Sequence, residues 1–268
     1  ILDLNLPKLD GVSVLRHLRS KKPSLPVLVL TQRTRVEDRV QCLDTGADDY
    51  VPKQLAPTSL DILHIRHDLV TKIQAAAQSR KSLPRAILSK KPSQPAVEAR
   101  DQGFSTAAIV AIGTSTGGTK ALQEILPLFP ADLSVPILVV QHMPLGFTAP
   151  FAQRMNTLCS VSVREAVQGE PIQPGSVYIA PAGMHMTVQR PSDSGALICL
   201  DTQPQDCPYI PSIDILMQSV ANAFWNQAMA VIMTGMGSDG AEGVKAIYRR
   251  GGLTIGQDEA TCSVFSMP

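Results

Sequence analysis

Short apolar runs alternate with amphipathic stretches along most of this chain, at spacings that predict strands followed by helices. Pro26–Thr31 is an apolar run, a polar helix-like stretch follows it to Thr45–Gly46, Ala47–Lys53 reads as a second short strand, and 57–77 has helical periodicity. A second series starts near residue 106. It predicts strands at Ala107–Ile112, Pro136–Val140, Ser176–Ala180 and Ala228–Met233, with helices at about 118–128, 147–157, 212–224 and 240–249. Strands that alternate with helices form parallel sheets covered on both faces. Between the two series, 79–104 is rich in Ser, Pro and Lys and has no periodicity, which is linker composition. The expected organisation is therefore one α/β unit over 1–78, a linker over 79–104 and a second, doubly wound and mostly parallel α/β unit over 105–268.

Composition narrows this picture. Hydrophobic residues make up 44 % and charged residues 18 %, so both units can bury a core. Aromatics are only 4 %, so that core must be aliphatic, as in sheets buried on both faces. A net charge of +1, with no helix-turn-helix pattern and no basic recognition helix, argues against a nucleic-acid partner. No apolar run approaches the roughly 20 residues of a spanning helix, so membrane insertion is not expected. The five cysteines are scattered and contain no CxxC pair, which fits neither a disulfide framework nor a zinc site. They read as ordinary thiols of a cytoplasmic protein.

The strongest chemical signal is Gly113-Thr114-Ser115-Thr116-Gly117, a G-x-S-x-G turn between a predicted strand and a predicted helix. Such a turn exposes its serine and sets backbone N–H groups of the new helix beside it. Taken alone, the turn serves equally as a nucleophile elbow or as a cradle for a phosphate at a helix N-terminus. The remaining strand ends separate the two readings. His142 follows the strand ending at Val140, and Asp239 lies in the glycine-rich loop beyond the strand ending at Met233. Ligands of doubly wound sheets bind outside the carboxyl ends of the strands. A serine there needs a base to take its proton and an acid to orient that base. Ser115, His142 and Asp239 are thus the expected triad. His185 is the rival base, and Asp201, Asp214 and Asp258 are the rival acids.

These segments together resemble the chemotaxis response regulator protein-glutamate methylesterase family. IGTSTGG (112–118), QHMPLGFT (141–148), VYIAPAGMHM (177–186), PSID (211–214), TGMGSDG (234–240) and GQDEATCSVFSMP (256–268) occur in the family's order. The resemblance implies the same three roles for Ser115, His142 and Asp239, with an oxyanion held by the N–H of Thr116 and by the loop carrying Met236. It implies hydrolysis of glutamyl methyl esters on the cytoplasmic helices of methylated chemoreceptors, deamidation of receptor glutamines as a second activity, and no cofactor for catalysis. One departure stands out: Cys207-Pro208-Tyr209-Ile210 occupies the place of a basic His-Arg pair before PSID.

Residues 1–78 resemble a flavodoxin-like response-regulator receiver. Asp3, at the head of DLNLPKLDG, matches the phospho-accepting aspartate, Thr31 and Tyr50 the switch hydroxyl and aromatic, and Lys53 the phosphate-pairing lysine. A lysine neutralises an added phosphoryl charge and a hydroxyl reports it by hydrogen bonding. The resemblance implies a chemotaxis histidine kinase as phosphodonor and Mg²⁺ as the cofactor of phosphorylation. The chain starts at Ile1 within the strand that carries Asp3, so this receiver is expected to be incomplete. Its Mg²⁺-binding acidic pair would belong to a longer parent, and the family's closing helix would follow Pro268. Gln54 stands where a proline often follows the receiver lysine.

Overall fold

A computed structural model describes residues 1–6, 9–23, 25, 27–31, 41–42, 45–47, 49–52, 107–191 and 195–268. Lys53, the expected linker and the predicted 57–77 helix lie outside the described residues.

In the N-terminal unit, helix α1 (Gly11–Lys21) starts at Asp10, whose side chain accepts from the Ser13 amide. Strands β1 (Leu28–Thr31) and β2 (Asp49–Pro52) pair in parallel. Leu2 pairs in parallel with Val29 on the other edge of β1. Leu4, Leu15 and Val29 form the centre of this unit's core. Phe147, which belongs to the C-terminal unit, is buried in the same cluster, and Met143 packs against it.

The second unit is a six-stranded parallel sheet in the order β10-β9-β3-β4-β6-β5. Its strands are β3 (Ile109–Thr114), β4 (Ile137–Gln141), β5 (Ser162–Glu165), β6 (Ser176–Ile179), β9 (Ala228–Ile232) and β10 (Leu253–Gly256). Successive residues of a strand face opposite sides of its sheet, and β4 shows the result. Ile137 and Val139 belong to the cluster that packs on helices α2 (Gly118–Ile125) and α3 (Thr148–Leu158), through Leu122, Phe151 and Met155. Leu138 and Val140 face helices α4 (Ile213–Phe224) and α5 (Ala241–Arg249), through Leu216, Met217, Val220 and Ile247. A sheet buried on both faces explains the continuous apolar runs.

The expected doubly wound parallel architecture is therefore present, with three additions, of which edge strand β10 extends the sheet beyond β9. An antiparallel hairpin, β7 (His185–Gln189) with β8 (Leu197–Asp201), forms a separate ribbon packed against α4 through Met186, Val188 and Ile198. The edge strand β5 was also not anticipated, because Ser162-Val163-Arg164-Glu165 places only one buried apolar residue on the sheet. No described helix is long and apolar enough to cross a membrane.

Candidate active site

The three central strands β9, β3 and β4 end side by side, and the loops beyond them carry Asp239, Ser115 and His142. Ser115 directly follows β3. Its amide donates to the Thr234 carbonyl (3.0 Å) on the neighbouring loop, which fixes the turn. Gly117 enters α2 with φ +82°, a left-handed conformation that suits glycine. Gly235 lies behind the serine, where a Cβ would stand 2.9 Å from Ser115 Cβ and 2.0 Å from Met267 Sδ, so no side chain fits there. The C-terminal segment forms one wall of the site. Gly235 and Phe265 pair in parallel, and the Ser266 hydroxyl both accepts from the Gly237 amide (2.9 Å) and donates to its carbonyl (3.1 Å).

The structure brings the three predicted residues together. His142 Nδ1 lies 3.2 Å from Ser115 Oγ, and His142 Nε2 lies 2.9 Å from Asp239 Oδ2. An ionised carboxylate can only accept, so Nε2 carries the proton and donates to Asp239. Nδ1 is then left to accept the Ser115 hydroxyl proton. Gln141, buried at the end of β4, was not singled out from the sequence. Its Nε2 donates to the Ser115 carbonyl (2.9 Å) and to the His142 carbonyl (3.0 Å), joining the backbones of nucleophile and base.

Asp239 is held by four donors. Oδ2 accepts from His142 and from the Ile213 amide (2.8 Å), while Oδ1 accepts from the Ser212 hydroxyl (2.9 Å) and the Asp214 amide (3.1 Å). The carboxylate therefore sits at the N-terminus of α4, where free amides and the helix dipole favour negative charge. Burial acts to raise its pKa, but the His142 hydrogen bond and the Ile213 and Asp214 amides outweigh burial and hold it below the ordinary aspartate value. With a lowered folded pKa, the stability from this carboxylate is fully present above the ordinary aspartate range. It is lost as pH falls through the lowered value.

Asp214, a rival acid in the sequence, has a different place. From the first turn of α4 it reaches across to the start of α5, where its Oδ1 accepts from the Gly243 amide (2.7 Å). Burial pushes its pKa up, the Gly243 bond opposes this, and the neighbouring Asp239 charge pushes it up further. Each helix start is thus capped by an acid from the segment that leads or belongs to the other: Asp239 precedes α5 and caps α4, and Asp214 lies in α4 and caps α5.

His185, the rival base, is fully buried at the start of β7 with both ring nitrogens engaged. Nδ1 accepts from the Ser212 amide (3.1 Å), so the proton resides on Nε2, which donates to the Pro204 carbonyl (3.0 Å). This ring is a clamp on the 204–212 loop and has no route to Ser115. His185→Leu would leave the buried Ser212 N–H unpaired and release the Pro204 carbonyl, and is expected to destabilise the chain by about 1–3 kcal/mol. Urea denaturation would measure it, and an unchanged midpoint would remove the clamp role. Asp201 caps its own loop by accepting from the Gln203 amide, and Asp258 does the same with Ala260. All five cysteines are free thiols, and burial pushes Cys159 and Cys262 upward, away from the reactive thiolate.

The amides of Thr116 and Met236 have no hydrogen-bond acceptor among the described residues. In the N-terminal unit, Asp3 follows the residue paired with β1 and Thr31 ends β1, so both lie toward one edge, and Thr31 is buried. Tyr50 lies in β2, while its side chain is outside the described residues, as is all of Lys53. The described residues do not fit a Mg²⁺ site: no three His, Cys, Asp or Glu among them converge, and Asp3 Oδ1 accepts from the Asn5 amide (3.0 Å).

A parallel α/β sheet with a serine, histidine and aspartate hydrogen-bonded in series at its carboxyl edge has the side-chain set of the serine hydrolases. Comparison with known proteins narrows the class. Residues 110–268 match the family model for CheB methylesterase, and residues 1–63 that for the response regulator receiver domain. The chain is 39 % identical to protein-glutamate methylesterase/protein-glutamine glutaminase 2 of Nitratidesulfovibrio vulgaris, over 100 % of this chain and 78 % of that protein. It is 40 % identical to the protein-glutamate methylesterase/protein-glutamine glutaminase of Halalkalibacterium halodurans, over 100 % and 76 %. The crystal structure of the Thermotoga maritima CheB methylesterase catalytic domain superposes with a TM-score of 0.59 at 38 % identity, covering 61 % of this chain and 86 % of that one. The chain belongs to the CheB methylesterase family.

Proposed function

We propose that this chain is a protein-glutamate methylesterase and protein-glutamine glutaminase of chemotaxis adaptation, acting on the cytoplasmic helices of methylated chemoreceptors. The observation that carries the reading is the hydrogen-bond series Ser115–His142–Asp239. Ser115 Oγ attacks the ester carbonyl as its proton passes to His142 Nδ1. The oxyanion is held by the Thr116 and Met236 amides, and methoxide leaves as methanol after taking the proton from His142. Water, deprotonated by the same nitrogen, then releases the glutamate carboxylate and restores Ser115. A glutamine side chain follows the same course with ammonia as the leaving group. In this course the side chains of Ser115 and His142 are nucleophile and base, and backbone amides are the oxyanion donors.

In this reading, residues 1–78 are a receiver that takes a phosphoryl group on Asp3 from a chemotaxis histidine kinase, with Thr31, Tyr50 and Lys53 as its switch residues. Residues 79–104 link it to the catalytic unit at 105–268, and the protein works in the cytoplasm. The burial of Phe147 within the receiver-side cluster supports communication between the units, because Met143, beside His142, packs against the same cluster. The test is incubation of the chain with chemoreceptor carrying radiolabelled methyl esters. Volatile methanol is expected in proportion to ester lost, and a receptor whose label stays in place would overturn the substrate assignment.

A further inference from the structure

The two hydrogen bonds of His142 lie in the plane of its ring. They fix where the ring nitrogens point, but leave the imidazole free to tilt about the line joining Ser115 to Asp239. Only a group against a ring face can oppose that tilt. Tyr209 lies against one: the ring centroids are 4.3 Å apart and the planes are inclined by 8°. Tyr209 belongs to the loop between β8 and α4, and that loop is anchored close to it. The Ile210 carbonyl accepts from the Gly183 amide (3.2 Å), and the Ser212 amide donates to buried His185. The Tyr209 hydroxyl lies beside Gly237, 3.3 Å from where a Cβ on that residue would stand. One aromatic side chain therefore reaches from the face of the base to the loop that carries Met236 and Asp239. It is 39 % exposed, so solvent holds it in place no more than the core does.

Resting on the hydrolase reading above, we propose that Tyr209 is a positioning residue for the catalytic base, stacked on His142 to hold its ring plane and to favour the imidazolium formed when Ser115 attacks. The ring does both without touching the reacting atoms. A face-to-face aromatic neighbour restricts tilt by contact. The same π face attracts the ring more strongly once it is a cation, within the roughly 6 Å over which such attraction operates. The imidazolium exists only as the Ser115 proton leaves, so this second contribution favours the transition state over the resting enzyme.

The experiment uses the full chain and an alkyl fluorophosphonate, which needs no receptor. Ser115 Oγ bonds to phosphorus as fluoride departs, and the hydroxyl proton passes to His142, the same transfer that ester attack requires. The maximal labelling rate is expected to fall about 5- to 30-fold in Tyr209→Leu. The half-saturating probe concentration should move little, and Tyr209→Phe should stay within about twofold of the unaltered chain, since the ring and not the hydroxyl is responsible. Thermal melts of both variants identify any rate loss that comes from unfolding. Tyr209→Leu labelling at the unaltered rate overturns the proposal, as does Tyr209→Phe slowed as much as Tyr209→Leu. No reaction at Ser115 in the unaltered chain overturns the hydrolase reading and this one with it. Reaction of the unaltered chain and of Tyr209→Leu at equal rates overturns this one alone.

Discussion

Ser115→Ala is expected to lower methyl-ester hydrolysis by about 10⁴-fold or more while leaving the fold intact. Its amide bond to the Thr234 carbonyl and its carbonyl bond from Gln141 are backbone contacts that alanine keeps. What disappears is the atom placed to attack, since Oγ is the group that faces His142 Nδ1. The remaining turnover would come from oxyanion donors and positioning alone, as in other triads stripped of their nucleophile. Methanol release from methylated receptor, followed over hours at high enzyme concentration, measures a loss of that size. Hydrolysis within tenfold of the unaltered chain would remove Ser115 from the mechanism.

Asp239→Asn is expected to lower kcat by about 10⁴-fold, the scale that the equivalent change has in other serine hydrolase triads. The substitution keeps the size of the side chain but replaces an acceptor oxygen by a donor. Four donors converge on this carboxylate, and an amide offers one oxygen to meet them. If its oxygen stays on the Ser212 hydroxyl and the Asp214 amide, its NH₂ takes the place of Oδ2, donates to His142 Nε2 and leaves the Ile213 amide without an acceptor. The imidazole proton then moves to Nδ1, the nitrogen that must receive the serine proton. Steady-state hydrolysis and fluorophosphonate labelling should fall together. A variant that labels at the normal rate would show that Asp239 does not set the tautomer.

The parts of this arrangement visible in the sequence were those where one local pattern had one physical cause. The run Ile109–Thr114 is buried on both faces of a central strand, so it reads as a strand without help from its neighbours. The glycines after it mark a turn too tight for side chains. Ser115, His142 and Asp239 could be collected because strand ends of a parallel sheet share an edge. Edge and ribbon strands were harder. β5 buries one apolar residue, and β7–β8 gains its apolar face only by packing on α4, a contact with no signature within either segment. The same holds for the residues that shape the site from a distance. Tyr209 lies in a loop without periodicity and 67 positions from His142, and only tertiary packing places them face to face. Asp214 and His185 were drawn toward catalysis by residue type. Their actual partners are backbone amides and carbonyls, which a sequence does not display.

The exchange of acids between α4 and α5 gives the three triad members different standing in the life of the protein. Ser115 contributes little that alanine would not, so inactive variants at this position should accumulate to normal levels. Asp239 is at once the orienting acid and the cap of a helix whose Leu216, Met217 and Val220 are fully buried in the core. A mutational scan scored by abundance should therefore pass over the nucleophile and mark the acid. Drift at this position is opposed twice, by selection for turnover and by quality control of the folded chain.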